Sequence, residues 1–388
     1  MSEVAQAPQL RFPEFSGEWE EKRFDSLYPT VRNGFVGVAT PYYVEEGVPY
    51  LQGKNIKSGA INRNGLVYIN ESFHQKSKKS QLRQNDIVMV QSGHVGECAV
   101  ITEEFEDTNC HALLVSTPTH DIDSKFYINY FYSKFGRKKI YRITTGNTIK
   151  HILSSDLKIQ TVSNPSYQEQ QKIAAFLAAV DSKIEQLSKK QALLGEYKKG
   201  LMQQIFSQAV RFKADDGSDF PDWEERKLGD VGKVYQPKTI SQTDLTTKGF
   251  DVYGANGIIG KYSEYNHEFE QIAVTCRGNT CGTVNFTKPK SWITGNAMVV
   301  NVDDSKVVNK TFIYYQLSHT NLTYLITGSG QPQITGDIKT HKVKIPSLPE
   351  QTKIANFLSS IDNKIEQVGK QLDESKQFKK ALLQQMFV

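Results

Sequence analysis

The sequence predicts an α+β protein in which two mixed α/β domains are separated by two long helices that pair as an antiparallel coiled coil, with pseudo-twofold symmetry. Residues 165–206 align without a gap with residues 346–387, at a constant shift of 181 positions, and roughly half of the positions are identical. Apolar residues in both copies recur every three or four positions, which is typical of a coiled coil. Short β-branched and aromatic runs separated by Gly and Asn precede each copy, and they predict strand-rich mixed domains.

The repeat divides the chain into alternating domains and helices. We expect an N-terminal segment (1–22), a first domain (23–164), a first helix (165–206), a connector (207–226), a second domain (227–345) and a second helix (346–388). A shorter repeat is also present, because "WEEKRF" at 19–24 matches "WEERKL" at 223–228 and Arg11-Phe12 recurs as Arg211-Phe212. Since the second copy of this segment follows the first helix, we expect the N-terminal segment to dock near the end of the second helix.

The two helical copies carry an apolar seam with a period of 3.5 residues. A stripe of this kind is usually a packing surface, so we interpret it structurally. The seam residues are Ile173, Leu177, Val180, Ile184, Leu187, Leu194, Leu201 and Ile205 in the first copy and Ile354, Leu358, Ile361, Ile365, Val368, Leu372, Leu382 and Met386 in the second. The seam is interrupted at Gln191 and Lys198 in the first copy and at Ser375 and Lys379 in the second.

The start of the first helix resembles a catalytic loop. The stretch "NPSY" at 164–167 is similar to the Asn-Pro-Pro-Tyr loop that holds the target amine in amino-group methyltransferases. A capping box explains it better, because Ser166 precedes Glu169 by three positions and Ser347 precedes Glu350 by three. In such a box the hydroxyl accepts from an early backbone N–H while the glutamate reaches back to the cap. The second copy reads "IPSL", so we predict a structural cap and no catalytic residue here.

Two further stretches imitate enzyme motifs but fail on residue type or on spacing. "ANGIIGKY" at 255–262 resembles a phosphate loop, yet it begins with Ala255 and places Tyr262 where a metal-binding Ser or Thr is required. "PDWEERK" at 221–227 contains the letters of a nuclease site, but Asp222 and Glu225 are too close in sequence to come from separate strands. We therefore predict a chain without catalytic residues.

Composition sets wide limits on function. A hydrophobic fraction of 38% and a charged fraction of 23% describe an ordinary soluble protein, and no apolar run approaches the roughly 20 residues that cross a bilayer. The first residues lack a basic segment followed by an apolar core, so we expect a cytoplasmic protein. The four cysteines form no C-x-x-C pair and the eight histidines show no ligand spacing, which predicts no metal site. A net charge of +5 permits a polyanionic partner without requiring one.

The arrangement of two unlike regions and two near-identical helices resembles the specificity subunits of type I restriction–modification systems. The helix-start pattern "P-S-x-x-E-Q-x-K-I-A-x-F-L-x-x-x-D-x-K-I-E-Q" at 165–186 and 346–367 is similar to the repeated regions of that family, and "VPYLQGKNIKSG" at 48–59 is similar to the opening of its target-recognition domains. The resemblance covers essentially the whole chain. It implies a non-catalytic subunit in which each domain reads one half of an asymmetric bipartite target in double-stranded DNA.

The resemblance also implies partners and cofactors. The helices would set the spacer between the half-sites and help to dock two methyltransferase subunits, which would methylate adenine at N6. Restriction subunits would join for cleavage, and no membrane is involved. S-adenosylmethionine, ATP and magnesium are expected on those partner subunits, with no cofactor bound by this chain.

Candidate DNA-binding residues are polar side chains on loops that contain glycine. Such side chains supply the donors and acceptors that read base edges in the major groove, and glycine lets a backbone turn tightly or approach a ligand. The candidates are Lys54, Asn55, Gln91, Ser92, His94, Asn147, Thr148 and Lys150 in the first domain and Tyr253, Asn256, Arg277, Asn279, Thr280, Gln331 and Gln333 in the second. Each could equally be an ordinary turn residue.

Two alternatives of a different class remain open at this point. The chain could be a freestanding DNA methyltransferase that uses the Asn164–Tyr167 loop, which requires it to bind a methyl donor alone. It could also be a coiled-coil scaffold whose domains bind proteins, which predicts no salt-dependent binding to duplex DNA.

Overall fold

The structure is a computed structural model that describes residues 7–255, 257–328 and 331–388. The chain forms two compact units. Unit 1 comprises residues 1–188 and 371–388, and unit 2 comprises residues 189–370.

The first domain region of unit 1 contains short strands and short helices. Its strands are β1 (Glu20–Arg23), β2 (Thr30–Asn33), β3 (Tyr43–Val44), β4 (Val48–Leu51), β5 (Ile56–Lys57), β6 (Ala60–Ile61), β7 (Val67–Ile69), β8 (Ile87–Val90), β9 (Cys98–Val100), β10 (Asn109–Cys110), β11 (Leu113–Thr117) and β12 (Thr161–Asn164). Its helices are α1 (Phe24–Leu27), α2 (Glu71–Lys76), α3 (Ser124–Tyr132), α4 (Lys134–Arg142) and α5 (Ser154–Lys158). The long helix α6 (Tyr167–Phe206) begins in unit 1 and ends in unit 2.

Unit 2 contains a similar succession of elements. Its strands are β13 (Glu224–Lys227), β14 (Lys233–Tyr235), β15 (Phe250–Gly254), β16 (Gly257–Tyr262), β17 (Ile272–Thr275), β18 (Val284–Phe286), β19 (Trp292–Ile293), β20 (Ala297–Asn301), β21 (Ile326–Thr327), β22 (Gln333–Ile334) and β23 (Lys342–Ile345). Its helices are α7 (Leu228–Val231) and α8 (Lys310–His319), and the long helix α9 (Leu348–Gln385) begins here and ends in unit 1.

The two units have the same sheet order. Unit 1 has an antiparallel sheet in the order β2-β11-β8-β9, and unit 2 has one in the order β14-β20-β17-β18. A second sheet in each unit contains one parallel pair, β4 with β10 and β15 with β19. The strand before each long helix pairs with an earlier strand, β12 with β1 and β23 with β13. The sequence repeat of the helices therefore extends to the topology of the domain that precedes each helix.

The strands β8 and β17 lie in the interior of these sheets, and their sequences show why. "IVMV" and "IAVT" are fully buried along their length, as expected for strands covered on both faces. The helices that follow on the same sheets are capped by side chains: Asp123 accepts from the Lys125 and Phe126 N–H groups before α3, and Asn309 accepts from Phe312 N–H before α8. Each unit thus builds its core from the same layers.

The long helices pack against each other in antiparallel directions within each unit. In unit 1 the start of α6 and the end of α9 share a core, and Lys379 Nζ donates to Asp181 at 2.6 Å. In unit 2 the end of α6 and the start of α9 share a core, and Lys198 Nζ donates to Asp362 at 2.6 Å. Because these ion pairs join equivalent residues of the two copies, both units use one register.

The predicted seam residues lie along these contacts and are buried or half-buried. The buried ones are Ile173, Leu177, Leu187, Ile205, Ile354, Leu358, Ile361, Val368, Leu372, Leu382 and Met386; the half-buried ones are Val180, Ile184, Leu194, Leu201 and Ile365. The stripe also includes Met202 and Leu383, equivalent residues that the 3.5-residue pattern did not select. Both interrupting lysines are half-buried and form the ion pairs described above.

No helix in the described part of the chain is long and apolar enough to cross a membrane.

Candidate nucleic-acid interface

A loop at the end of strand β8 lies against a second loop from the end of the first domain. Gly93 N–H donates to the Lys150 carbonyl at 3.1 Å, and Ile152 N–H donates to the Gln91 carbonyl at 2.9 Å. Ser92 and His151 lie opposite each other between these bonds in an antiparallel bridge. The sequence-predicted residues Gln91, Ser92 and His94 are therefore brought beside Asn147, Thr148 and Lys150 in one surface, which we call the unit 1 loop pair (residues 91–94 and 145–152).

Unit 2 repeats this geometry after strand β17. Gly278 N–H donates to the Pro332 carbonyl at 3.1 Å, and Ile334 N–H donates to the Cys276 carbonyl at 3.0 Å. Arg277 and Gln333 lie opposite each other between these bonds. We call residues 276–280 and 331–334 the unit 2 loop pair.

Glycines make both loop pairs possible. Gly146 and Gly328 occupy equivalent turns with φ of +92° and +91°, in a region that L side chains rarely adopt. A Cβ atom on either glycine would also collide with a backbone carbonyl oxygen, that of Ile149 or Gln331. The sequence-level association of the candidate residues with glycine thus has a structural cause at these two turns.

Most unit 1 candidates are open to solvent. Lys54, His94, Asn147, Thr148 and Lys150 are exposed, while Gln91 and Ser92 are half-buried. The Oγ of Ser92 and Nδ1 of His151 form a hydrogen bond within the loop pair.

Lys54 and Asn55 belong to a separate loop, and only one of them faces solvent. The ammonium of Lys54 lies over the Gly65 turn. Asn55 is 0% exposed; its side chain accepts from Gln52 N–H at 3.0 Å and donates to the Asn62 carbonyl at 3.0 Å. Asn55 is therefore wrong as a direct DNA ligand in this structure, because its polar atoms hold the turn together.

The unit 2 candidates divide in the same way. Arg277, Asn279, Gln331 and Gln333 are exposed. Thr280 is half-buried and its hydroxyl donates to the Ala255 carbonyl at 2.7 Å, so it stabilises a neighbouring turn. Asn256 lies outside the described residues.

The burial of Tyr253 contradicts its predicted role as a DNA-binding residue. Its side chain is buried in a small apolar cluster with Ile293 and Val299. Its hydroxyl accepts from the Lys288 N–H at 3.1 Å. Tyr253 therefore supports the core and is not available to a base.

Sequence reasoning missed His151 and the cleft beside the unit 2 loop pair. His151 occupies the position of Gln333, and aligning "TTGNTIKHI" with "TGSGQPQIT" was the signal that could have identified it. The unit 2 cleft is lined by Tyr235, Arg277, Gln333 and Lys339, with Met298 and Ile334 among its apolar residues. Two cationic side chains in one cleft suit a polyanionic ligand.

Charge pairs brace the loops behind these surfaces. In unit 1, Glu97 accepts from Ser58 N–H at 2.7 Å, from the Tyr132 hydroxyl at 2.8 Å and from Arg137 at 2.9 Å. Burial works to raise the pKa of Glu97, but these hydrogen bonds outweigh it and hold the pKa below its ordinary value. The carboxylate is therefore kept ionised as a fixed acceptor that holds Ser58 near α3 and α4.

In unit 2, Asp251 has a corresponding bracing role for β15. It accepts from Lys261 at 2.6 Å and from Lys288 at 2.9 Å. Hydrogen bonds from these two lysines lower the pKa of Asp251. Their charges are partly neutralised, which makes them weaker candidates for phosphate contacts than Lys339.

The junctions before the long helices are also built twice. The carboxylate of Glu169 accepts from Arg11 at 2.7 and 2.8 Å, and that of Glu350 accepts from Arg211 at 3.2 and 2.8 Å. A glutamine follows each glutamate; Gln170 donates to the Pro165 carbonyl and Gln351 to the Pro346 carbonyl. Each junction fixes the preceding strand to its helix.

The predicted capping boxes are half right in the first copy and wrong in the second. Ser166 Oγ accepts from Glu169 N–H at 3.3 Å, whereas the buried Ser347 hydroxyl has no hydrogen-bond partner in the described part of the chain. Neither glutamate reaches back to the cap, because a two-bond, charge-assisted contact with arginine is stronger than a bond to a neutral N–H.

The Asn164 side chain has a structural use. Its Oδ1 accepts from the Tyr127 hydroxyl at 2.6 Å and from Gln170 at 3.2 Å. A target amine would have to displace both donors, so the structure does not favour a catalytic loop at 164–167. Within the described ranges, no group of three or more His, Cys, Asp or Glu side chains is placed to hold a metal ion.

Comparison with known proteins places this geometry in a family. Residues 16–194 and 221–375 match the family model described as "Type I restriction modification DNA specificity domain". The chain is 24% identical over 399 residues to the putative type I restriction enzyme MjaX specificity subunit of Methanocaldococcus jannaschii, covering 95% of this chain and 93% of that one. It is 24% identical over 355 residues to the EcoprrI specificity subunit of Escherichia coli, covering 86% and 85%.

Solved structures share the fold. The crystal structure of the type I S subunit from M. genitalium superposes with a TM-score of 0.63 and 19% identity, covering 99% of both chains. The structure titled "Structural basis underlying complex assembly and conformational transition of the type I R-M system" gives a TM-score of 0.54 at 15% identity, covering 94% of this chain and 96% of that one. With its specificity domain matched twice along one chain, this protein belongs to the family of type I restriction–modification specificity subunits.

Proposed function

We propose that this chain reads an asymmetric bipartite target in double-stranded DNA, with unit 1 reading one half through its loop pair and unit 2 reading the other. The chain itself performs no chemistry. It directs adenine N6 methylation by two methyltransferase subunits and cleavage by restriction subunits, and these partners carry S-adenosylmethionine, ATP and magnesium. It works in the cytoplasm, where these partners and their DNA are found.

One observation carries this proposal: the two loop pairs have the same backbone hydrogen bonds but unlike side chains. The bridge positions hold Ser92 and His151 in unit 1 and Arg277 and Gln333 in unit 2. A shared frame indicates a shared class of ligand, and different donors and acceptors indicate different base sequences. The proposed DNA-contacting set is Lys54, Gln91, Ser92, His94, Asn147, Thr148, Lys150 and His151 in unit 1 and Arg277, Asn279, Gln331 and Gln333 in unit 2.

The functional division of the chain follows the repeats. Residues 23–164 and 227–345 are the recognition domains, and 165–206 and 346–388 are the helices that set the spacer and help to dock the methyltransferases. The connector (207–226) and residues 7–22 of the N-terminal segment are attached through equivalent tryptophans. Trp223 packs on Phe206 near the end of α6, and Trp19 packs on Phe387 just after α9. This equivalence supports docking of the N-terminal segment at the end of the second helix.

A domain exchange tests the proposal. Residues 227–345 are replaced by the equivalent region of another family member, and the chain is assembled with its methyltransferase subunit. Sequencing of methylated adenines should show a change in one half of the target and none in the other. The chain alone should neither methylate nor cleave DNA. A change in both halves would contradict the division of labour, and methyl-donor binding by the chain alone would indicate an enzyme.

A further inference from the structure

The bridge position of the unit 2 loop pair carries two exposed polar side chains, Arg277 and Gln333. Resting on the proposed function, we infer that Arg277 reads a guanine in the half-site of unit 2, with Gln333 contacting the same or the adjacent base pair. The inference deepens the proposed function by naming the base chemistry that one position recognises. It stands on backbone geometry, on the absence of competing partners and on a comparison with unit 1.

The backbone places Arg277 and Gln333 side by side. Their bridge is flanked by the hydrogen bonds from Gly278 to Pro332 and from Ile334 to Cys276, so the two residues form a non-hydrogen-bonded antiparallel pair. The Cα atoms of such a pair are about 4.5 Å apart, and the side chains leave the same face of the ladder. The backbone of each residue is held by hydrogen bonds on both sides. Less conformational entropy is therefore lost when the side chain contacts a base.

Both side chains are exposed, and their polar groups are available to a ligand. Within the described residues (7–255, 257–328 and 331–388), neither the Arg277 guanidinium nor the side-chain amide of Gln333 has a hydrogen-bond or ion-pair partner. In contrast, Lys261 and Lys288 of the same unit are engaged by Asp251. Arginine donates two parallel hydrogen bonds to O6 and N7 of guanine, the commonest specific contact in the major groove. The Arg277 guanidinium lines a cleft that also contains Lys339. Its N–H donors are therefore placed to contact a guanine that enters the cleft.

The equivalent position of unit 1 has different chemistry. Ser92 and His151 form the same kind of bridge, flanked by the same two backbone bonds, but their side chains hydrogen-bond to each other. This pair has no guanidinium and cannot make the two-bond guanine contact. The bridge position is therefore a place where the two half-sites must be read differently.

Two substitutions separate base reading from phosphate binding. The full chain, assembled with its methyltransferase subunit, is presented with duplexes in which every position of the target is varied, and methylation is read by sequencing. Arg277→Lys keeps a positive charge but loses the planar fork, whereas Arg277→Gln loses both. We expect Arg277→Gln to lose about five- to 150-fold of the preference for guanine at one position of one half-site, and Arg277→Lys to lose a smaller part of it because the fork is gone. Preferences in the other half should not change.

Arg226→Gln is the matched control. Arg226 is an exposed arginine of unit 2 that pairs with Glu224 on β13, away from the loop pair. Its substitution should alter no base preference. Thermal unfolding should be the same for all three variants, since both arginines are exposed.

Two results would overturn the inference. Unchanged base preferences in both Arg277 variants would show that the side chain does not read a base. A uniform loss of affinity in Arg277→Gln, with a salt dependence reduced by about one counterion and normal preferences in Arg277→Lys, would identify a phosphate contact instead. If the wild-type complex itself showed no bipartite preference, the proposed function would fail before the variants were compared.

Discussion

Removing the ion pair between Arg211 and Glu350 tests how strongly the connector is attached to α9. The Glu350 side chain is fully buried (0% exposed), and that of Arg211 is 25% exposed. The same guanidinium donates to the carbonyls of Phe220 and Pro221 at 3.2 and 2.6 Å. The substitution Arg211→Met keeps much of the apolar stem but removes every one of these bonds, leaving a buried carboxylate without its cation.

The structure sets the expected size of this effect. Removing one partner of a buried ion pair costs about 3–5 kcal/mol, because the other charge stays buried. Two features reduce the cost here: Arg211 is partly hydrated, and Glu350 lies in the first turn of α9, where the helix dipole favours an anion. We therefore expect Arg211→Met to lower the free energy of unfolding of unit 2 by about 2–3 kcal/mol. The double variant Arg211→Met with Glu350→Gln should lose less, since no charge remains buried.

Hydrogen exchange measured by mass spectrometry gives the opening free energy of each unit separately. Peptides from β13 and the start of α9 report on unit 2, and peptides from β1 and the start of α6 report on unit 1. Arg11→Met is the matched variant, because Arg11 and Glu169 form the equivalent pair of unit 1; it should weaken unit 1 by a similar amount. A loss below about 1 kcal/mol, the range of exposed ion pairs, would refute the reasoning. So would a double variant as unstable as the single one.

Three further predictions concern the coil, a loop brace and the spacer. Leu358→Ala, at a fully buried seam position, should cost about 2–5 kcal/mol in urea unfolding, whereas Leu193→Ala, at an exposed position of α6, should change stability by less than about 0.5 kcal/mol. Hydrogen bonds hold the pKa of Glu97 below its ordinary value of 4.5. The stability advantage of wild type over Glu97→Gln should therefore be full above pH 4.5 and disappear as the pH falls through the folded-state pKa. Urea unfolding midpoints of both proteins from about pH 7 to about pH 3 measure this difference. A seven-residue insert after residue 188 of α6 and after residue 370 of α9 adds about 10 Å of helix, and sequencing of methylated targets should show a longer spacer. An unchanged spacer would argue against a ruler role.

The long helices and the two-domain order could be predicted because their signals are repeated along the chain. A seam with a 3.5-residue period states which face of each helix is buried, and a gapless repeat of 42 residues states that the same packing occurs twice. Both the seam and the repeat can be recognised in the sequence without any knowledge of the tertiary structure.

The helix junctions show where local reasoning fails. The capping-box rule considers only residues within one turn, but the partner of Glu169 is Arg11, 158 positions away, and the partner of Glu350 is Arg211, 139 positions away. The Arg-Phe dipeptide is repeated together with the helices, and this repetition was a sequence signal for the contact between arginine and glutamate. A rule for isolated helices gives such a distant charge no weight.

The candidate site was only partly predictable for a related reason. A polar residue beside glycine can hold a turn, as Asn55 does, or face solvent, as Arg277 does, and the two cases look alike in sequence. Burial separates them, and burial depends on strands that are distant in the chain. The bridge between Ser92 and His151 joins two loops 59 positions apart, which is why His151 was missed.

The two lysines that interrupt the apolar seam favour the antiparallel direction of the helices. Lys198 and Lys379 are equivalent residues of the two copies, and so are Asp181 and Asp362. If the copies were aligned in parallel, each lysine would face its equivalent lysine and each aspartate its equivalent aspartate, placing like charges together. In the antiparallel register every such contact becomes an ion pair, Lys198 with Asp362 and Lys379 with Asp181. Polar residues within a coiled-coil seam lower stability but select one orientation, so a duplicated helix that carries one Lys and one Asp at these positions favours antiparallel pairing.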